Sequence, residues 1–498
     1  MKRLITTLLL VLCASIQAQE DNIFLDREFW QSKPTLKEIK KKIKEGNDPT
    51  VKGPSGFDGT AYAIIDDAPT KSIKYMLSIP GNNVDKPTHG GIPYLLWAAY
   101  KGNLEVVQHL DELGANFDFS LESGTNILMM AAIGGNKDQS LYAYLFDKGL
   151  DPKYVNSDGS NAMHILASAE VNDINIFEYL VAQGLDWNSV DNNGNNLFSY
   201  AARGNNLELL KFCVDKGLDY KSINNKGENA LLYATYSRRR ASVKLDVFKY
   251  LEELGLEVDL VNWEGQTPLH NAIRYSDVEM IDFFVDRGVN VNQIDKNGNT
   301  ALINAAGAPK ESIEKLLSMT NFVNHKNKDG HSALTMAVRR ASKDAFDLLL
   351  QNKADASIID NEGSNLVAHA FETYFESRKE NFEAIVNTLT KKKGLTGNEV
   401  YANGQTLAHI AIDRNSHYLL KKAIELGADL NHKNQDGVTP LHLAAMQSSD
   451  ESLILALLDN GASKKILTEF DESAYDLALQ NEQFSEKKVN INVLKTEE

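Results

Sequence analysis

The chain has 498 residues, of which 43% are hydrophobic, and its formal net charge is −16. This acidic balance argues against non-specific binding to nucleic acid or to an anionic membrane surface and favours solubility. The only cysteines are Cys13 and Cys213, so the chain can form one disulfide at most.

A short apolar stretch follows two basic residues at the N-terminus. Lys2 and Arg3 precede the apolar residues 4–14, and the small residue Ala18 follows. The stretch is shorter than the roughly 20 residues of a membrane-spanning helix, and its flanks are typical of a signal peptide. We therefore predict a signal peptide over residues 1–18 and a periplasmic or secreted protein, whose charge becomes −18 when both basic residues are removed.

Residues 19–55 precede the first copy of a repeat and are predicted to form an N-terminal capping unit. Leu36, Ile39 and Ile43 lie on one face of a predicted helix. The opposite face carries five lysines: Lys37, Lys40, Lys41, Lys42 and Lys44. A polar outer face suits the end of a stacked array, and a lysine-rich docking helix is the alternative.

From residue 56 to residue 482 the sequence repeats with a period near 33 residues. Most gaps between equivalent apolar anchors are 32 to 35 residues long. The anchors are Tyr62, Leu95, Leu128, Met163, Phe198, Leu231, Leu269, Leu302, Leu334, Val367, Ala408, Leu441 and Tyr475. A glycine stands four residues before the anchor in ten copies. A period of this length indicates an array of stacked units.

The copy at residues 262–295 shows why each unit is predicted to be a helical hairpin. Gly265 permits a turn, Thr267 is a good N-cap, and Pro268 fits the first helical position because its missing N–H is not needed there. A second apolar stretch ends at Gly288, a typical C-cap residue. Neither helix can bury its apolar face alone, so the unit requires neighbours.

These features resemble the ankyrin repeat family. The family's T-P-L-H signature stands at residues 267–270 and 439–442, with weaker copies at residues 161–164 and 406–409. The resemblance implies an all-α solenoid of about thirteen stacked helix-turn-helix units with β-turn connections, followed here by a charged C-terminal tail over residues 483–498. With the predicted leader, the chain is similar to an exported, bacterial-type member of the family.

Longer spacings indicate two insertions. One spans residues 236–241 and includes three consecutive arginines, and the other spans residues 372–393 and ends in three lysines. Insertions in repeat proteins form loops on one face.

The cysteines have different predicted roles. Cys13 lies in the leader, where Leu12 is bulkier than the residue expected before a lipidated cysteine, so a lipid anchor is the less favoured alternative. Cys213 occupies the position that Leu110 and Phe284 hold in other copies. It is predicted to be a small buried hydrophobic residue rather than a reactive thiol.

No catalytic motif is found in the sequence: it lacks the phosphate-binding loop, the dinucleotide fingerprint, the nucleophile elbow and the zinc-protease motif. His164, His270, His409 and His442 share one repeat position, where the resemblance implies hydrogen bonds to neighbouring turns. We therefore predict structural histidines, no metal site, no cofactor and no enzymatic activity.

Two acidic loops have a faint likeness to calcium-binding loops, at residues 191–195 and 295–299. Their glycines fall at the fourth place instead of the sixth, and no glutamate stands at the twelfth. They are predicted to be turns.

The resemblance implies that partners bind at turn tips and at the ends of the first helices. The predicted partner-binding residues at these positions are Arg203, Tyr236, Trp263, Arg274, Tyr275, Lys328, Arg339 and Arg340. His331 belongs to the same set of positions. Tryptophan, tyrosine and arginine carry much of the binding energy at protein interfaces, and arginines on an acidic protein favour a partner with an acidic or anionic patch.

The resemblance therefore predicts a monomeric, non-catalytic interaction scaffold that acts outside the cytoplasm and binds a protein partner in its concave groove. The alternatives are an accessory or inhibitory subunit of an exported enzyme, and a module that binds an anionic ligand.

Overall fold

The computed structural model describes residues 22–169, 171, 173–236, 244–397, 399–401 and 403–496. The predicted signal peptide, and all of the 236–241 insertion beyond Tyr236, lie outside these residues. Within them the regular elements are helices, and isolated β-bridges such as Val190 with Asn196 close some of the turns. The predicted all-α class is confirmed.

The chain divides into two compact units: the N-terminal unit ends at Glu257, and the C-terminal unit begins at Val258. Each copy of the repeat contributes a first and a second helix, and every predicted anchor lies in a first helix. Within each unit, first helices pack against the first helices of adjacent copies, as the helices at Tyr94–Lys101 and Ile127–Ile133 do. The apolar faces are thereby buried, and the repeat phase read from the sequence is confirmed.

The first helices are short, five to eight residues in most copies, because each ends where the chain turns into the second helix. In the N-terminal unit they are Gly59–Ile65, Tyr94–Lys101, Ile127–Ile133, Ala162–Ala167, Leu197–Arg203 and Ala230–Ala234. In the C-terminal unit they are Pro268–Ala272, Ala301–Asn304, Ala333–Arg339, Leu366–Glu372, Leu407–Asp413, Pro440–Gln447 and Ala474–Gln480.

The second helices bury one side and expose the other. In the N-terminal unit they are Thr70–Leu77, Leu104–Glu112, Gln139–Asp147, Ile174–Ala182, Leu207–Asp215 and Leu245–Glu253. In the C-terminal unit they are Val278–Val285, Lys310–Met319, Lys343–Gln351, Lys379–Asn387, His417–Glu425, Ser452–Asp459 and Glu482–Lys487. Cys213 is fully buried in one of them, and burial raises the pKa of its thiol to about 12. The prediction of a buried cysteine is confirmed.

The turn glycines are needed because adjacent turns approach closely. Gly265 has a φ of +80°, and a Cβ there would lie 3.1 Å from the Cα of Asp295 in the next turn. The backbone N–H of Lys296 donates to the carbonyl of Glu264 at 2.7 Å, which joins the two turns. A side chain at position 265 would be strained and would also separate this pair.

The described part of the predicted N-terminal capping unit contains a 3₁₀ turn at Ile23–Leu25 and helices at Arg27–Gln31 and Leu36–Lys44. Phe24, Trp30 and Ile39 are fully buried. The indole N–H of Trp30 donates to the carbonyl of Phe24 at 2.9 Å. The lysines of the second helix lie on its more exposed side.

The predicted charged tail contains ordered elements. Residues from Glu482 form a helix that ends at Lys487, and a 3₁₀ turn follows at Ile491–Leu494. Phe484 and Leu494 are buried against the last first helix. Two apolar side chains within this predicted charged tail therefore cover the last first helix.

The 372–393 insertion is folded as well. It contains a 3₁₀ turn at Glu376–Arg378, a helix at Lys379–Asn387 and a π-helical turn at Thr388–Lys392. The amide of Asn381 donates to the carbonyl of Ala341 at 3.0 Å. The start of the insertion thus packs on the end of the preceding first helix.

Candidate functional site

Two of the predicted arginines converge at the ends of first helices in the C-terminal unit. Arg274 is exposed, Arg340 is half-buried, and Gly307 lies between them in the intervening copy. A Cβ on Gly307 would be 3.1 Å from Nη1 of Arg340 and 3.6 Å from Nε of Arg274. The missing side chain therefore gives both guanidinium groups room over the same backbone.

This arginine cluster has an excess of positive charge. Nη1 of Arg340 is buried and has no hydrogen-bond partner among the described residues. Burial lowers the pKa of Arg340, and the positive charge of Arg274 lowers it further. Arg378, from the folded insertion, donates from Nη1 to the carbonyl of Arg340 at 2.6 Å and adds a third cation. A buried cation without a counter-charge costs free energy that an anion at this place would recover.

Two aromatic residues accompany the cluster in the same copy of the repeat. The guanidinium of Arg274 lies over the ring of Tyr275, 5.6 Å from its centroid. Trp263 stands on the preceding turn with 63% of its surface exposed. Oδ1 of Asn262 holds that turn by accepting backbone N–H groups of Glu264 at 3.0 Å and Gln266 at 2.8 Å.

Arg203 and Tyr236 belong to a different place, in the N-terminal unit. Arg203 donates from Nη1 to the hydroxyl of Tyr233 at 3.1 Å and from Nε to the carbonyl of Tyr236 at 3.3 Å. The hydroxyl of Tyr236 donates to Oε1 of Glu228 at 2.5 Å. Both residues line a polar cleft of about 280 Å³ that also contains Asp191. Arg203 and Tyr236 therefore take part in hydrogen bonds between adjacent copies of the repeat.

Lys328 and Arg339 line a second polar cleft, of about 390 Å³, in the C-terminal unit. Nη1 of Arg339 lies 3.0 Å from Nδ1 of His369 and 3.4 Å from a carboxylate oxygen of Glu372. Arg339 and Arg340 are neighbours in sequence but take part in different groups. Seven of the eight predicted residues therefore fall into three groups, and Trp263 stands apart from them. The groups are Arg203 with Tyr236, Arg274 with Tyr275 and Arg340, and Lys328 with Arg339.

The four histidines of the signature position have the predicted structural role. Nδ1 of His270 accepts the backbone N–H of Thr267 at 3.1 Å, so its Nε2 carries the proton and faces the carbonyl of Asn299 in the next turn at 3.2 Å. His409 repeats this arrangement with Val438 at 3.1 Å. Burial lowers the pKa of all four imidazoles, and that of His409 falls to about 4. They are neutral links between copies.

The two acidic loops are turns, as predicted. Oδ1 of Asp295 accepts the backbone N–H groups of Asn297 at 2.9 Å and Asn299 at 2.8 Å. Oδ1 of Asp191 makes the same pair of bonds within its own turn. Each carboxylate therefore accepts hydrogen bonds from the backbone of its own turn.

No sequence motif distinguishes Asp360, His369 or Arg378, although all three lie at the clefts and clusters described above. The repeat phase gives the equivalent positions of two of them in another copy. Asp360 stands at the turn position that Asp191 holds, and His369, nine residues after Asp360, stands at the position that Tyr200 holds. Arg378 lies in an insertion, which has no counterpart in other copies.

None of the helices in the described residues has the length and apolar character needed to cross a bilayer.

Comparison with known proteins identifies related repeats. A family model described as ankyrin repeats in three copies matches residues 95–191, 165–262, 240–327 and 375–468. The mouse (Mus musculus) B-cell lymphoma 3 protein homolog is 28% identical over 194 residues, which cover 38% of this chain and 42% of that protein. Human (Homo sapiens) ankyrin repeat and SOCS box protein 11 is 43% identical over 74 residues, 15% of this chain and 22% of that protein. The chain thus spans less than half the length of these relatives.

The comparison with solved structures matches the human ASB11 ankyrin repeat domain. It covers 47% of this chain and 100% of its own, with 24% sequence identity and a TM-score of 0.39.

Proposed function

Since the chain belongs to the ankyrin repeat family and is therefore an interaction scaffold, we propose that it is a non-catalytic scaffold that acts outside the cytoplasm and binds a partner with an acidic or anionic patch. The supporting observation is the arginine cluster of Arg274, Arg340 and Arg378. The buried Nη1 of Arg340 has no hydrogen-bond partner among the described residues. An anionic group placed against these cations would gain charge-assisted hydrogen bonds.

The proposed binding surface joins the arginine cluster to the aromatic residues of the same copy. Charge-assisted contacts from an arginine to a carboxylate or phosphate contribute about 1.5–3 kcal/mol each. An exposed tryptophan such as Trp263 can bury a large apolar area on a partner. Arg203, Tyr236 and Arg339 are held by contacts between repeats, so we assign them mainly to stability.

The test uses the double substitution Trp263→Ala with Arg274→Ala. We expect the affinity for the natural partner to fall at least about tenfold, or about 1.4 kcal/mol, with helicity unchanged because both side chains are exposed. Poly-L-glutamate serves as the first probe, measured by calorimetry at low and high salt, since screening should weaken the interaction. A partner is then sought among exported proteins.

Phe470→Ala is the matched control, because it removes an aromatic side chain that is 81% exposed on a turn of the same unit. It should bind the probe and the partner as the wild type does. Unchanged affinity in the folded double variant would place the site elsewhere, first in the arginine loop at 238–240 or the insertion at 372–393. Equal loss in both variants would indicate unspecific attraction.

The extracellular part of the proposal depends on the N-terminal pattern of two basic residues and a short apolar stretch. We expect mass spectrometry of the native protein to find a mature chain that starts near Gln19, in a periplasmic or secreted fraction. An intact Met1 in a cytoplasmic fraction would refute export. A lipid on Cys13 would replace the soluble form with the anchored alternative.

A further inference from the structure

Three possible metal ligands meet in the cleft that Lys328 and Arg339 line. Oδ2 of Asp360 lies 3.1 Å from Nε2 of His369 and 3.5 Å from Nε2 of His331. The three ligand atoms all lie within 4.8 Å of one another. They come from three places in the chain: a first helix, a turn, and the turn of the preceding copy.

The turn fixes the carboxylate of Asp360 and leaves one oxygen available. Oδ1 accepts the backbone N–H groups of Glu362 at 2.9 Å and Ser364 at 2.8 Å, as in the other aspartate turns. Around Asp191, by contrast, Oδ2 accepts the hydroxyl of Tyr200 at 2.8 Å. His369 replaces that tyrosine in the repeat, so an imidazole faces the carboxylate instead of a phenol.

The imidazole of His369 is not satisfied by this arrangement. The residue is 2% exposed, and its Nε2 has no hydrogen-bond partner within the described part of the chain, although the carboxylate is near. A buried polar nitrogen in this state costs about 1–3 kcal/mol. Nε2 of His369 and Oδ2 of Asp360 thus lie 3.1 Å apart without a hydrogen bond between them, a separation that two ligands of one ion would also have.

We propose that His331, Asp360 and His369 bind a divalent transition-metal ion of the zinc type. Imidazole nitrogens and a carboxylate oxygen are the donors that Zn²⁺ prefers together with thiolates. Ligand atoms about 2.0–2.1 Å from a tetrahedral zinc lie about 3.3 Å from one another. Two of the three separations in the cluster are close to that value, and rotation of the half-buried His331 can adjust the third.

The surroundings supply an outer partner for the metal-binding form of His369. Oε2 of Glu372 lies 3.2 Å from its Nδ1. When Nε2 binds a metal, Nδ1 carries the proton and can donate it to Glu372, as metal-binding histidines commonly do to a carboxylate. Arg339 approaches the same Nδ1 at 3.0 Å and can only donate, so in the metal-bound form it pairs with Glu372 instead.

Charge and access also favour a cation. The cleft is lined by four carboxylates, of Asp329, Asp360, Glu362 and Glu372, and by two cationic side chains, of Lys328 and Arg339. A divalent ion would balance this excess of negative charge. Three protein ligands leave the fourth tetrahedral position open toward the cleft, where water or a side chain of a partner could bind.

The experiment measures Zn²⁺ binding to the full chain after a chelator has been applied and removed. We expect one equivalent by calorimetry, and intense tetrahedral-type visible absorption when Co²⁺ is the probe. Glu372→Gln should weaken Zn²⁺ binding about 10–100-fold, while His331→Gln and His369→Tyr should weaken it further. The tyrosine variant is chosen because Tyr200 occupies the same place against Asp191, so the fold should be kept.

His417→Gln is the control, since it removes an exposed histidine of the same unit that lies outside the cluster. It should bind Zn²⁺ as the wild type does, and Zn²⁺ should raise the unfolding midpoint of both. A wild-type chain that binds no Zn²⁺ or Co²⁺ would overturn the proposal. So would unchanged binding in His331→Gln and His369→Tyr chains whose circular dichroism matches the wild type.

Discussion

The clefts around Asp191 and Asp360 occupy the same place in the repeat, one in each unit, and differ in what faces the second carboxylate oxygen. In the N-terminal unit the hydroxyl of Tyr200 bonds it. In the C-terminal unit the imidazoles of His331 and His369 face it without a hydrogen bond. The second carboxylate oxygen of Asp191 is therefore hydrogen-bonded within its own cleft. In the other cleft, Nε2 of His369 has no hydrogen-bond partner among the described residues.

The comparison separates what the repeat requires from what it permits. In both turns Oδ1 accepts two backbone N–H groups, because a turn of this shape leaves them without other partners. The second oxygen is not needed for the turn. Its partner is set by a side chain nine residues later and by the turn of the preceding copy, which the repeat leaves variable. The repeat thus presents a rigid carboxylate that each copy can use differently.

Acidification should distinguish the two units most strongly. The neutral signature histidine occurs once in the N-terminal unit, as His164, and three times in the C-terminal unit, as His270, His409 and His442. An unfolded histidine has a pKa of about 6.5, and burial lowers the folded value, to about 4 for His409. Between these pH values only the unfolded chain takes up the proton. The contribution of a neutral signature histidine to the free energy of unfolding is therefore fully present above pH 6.5 and is lost as the pH falls toward 4.

For His409 alone the loss amounts to about 3 kcal/mol. Asp413 and Asp429 favour its charged form and His432 opposes it, but burial is the larger cause. Hydrogen exchange at pH 7 and pH 4.5, corrected for the intrinsic rates, should show that the C-terminal unit loses more protection than the N-terminal unit. Equal losses in the two units would mean that these histidines do not control acid stability.

A smaller effect is expected when the free energy of unfolding that is lost in Asp191→Ala is compared with the loss in Asp360→Ala, both in the presence of a chelator. The first substitution leaves two backbone donors and the amide of Asn195 without their acceptor, and leaves the hydroxyl of Tyr200 with only Oγ of Ser160 as a partner. It should cost about 3 kcal/mol or more, because each buried donor without a partner costs about 1–3 kcal/mol. The second removes bonds from two backbone donors only and should cost less. Urea denaturation followed by circular dichroism gives both values.

The matched Asp→Asn variants keep an acceptor for the backbone and should recover part of each loss. If Asp360→Ala proved as costly as Asp191→Ala without metal, the second oxygen of Asp360 would already be bonded, and the contrast between the clefts would disappear.

The sequence predicted the repeat phase, the class of fold and the structural histidines. Those features depend on local spacing: an apolar anchor, a glycine four residues before it, and a capping residue at the start of each first helix. His270 could be assigned because its partners lie in its own cap and in the next turn, at fixed offsets. Proximity across several copies was harder to predict, as Arg339 and Arg340 show by joining different groups.

The amino-acid sequence by itself determined that thirteen copies form helical hairpins whose apolar faces must be buried against neighbours, because that pattern is periodic and local. Only the tertiary structure decided that Arg378 of the insertion joins Arg340, that Phe484 and Leu494 cover the last copy, and that two histidines meet at Asp360. These outcomes depend on which side chains the stacked copies bring within a few ångströms, and on rotamers that packing selects. Neither is encoded in the spacing of any single copy.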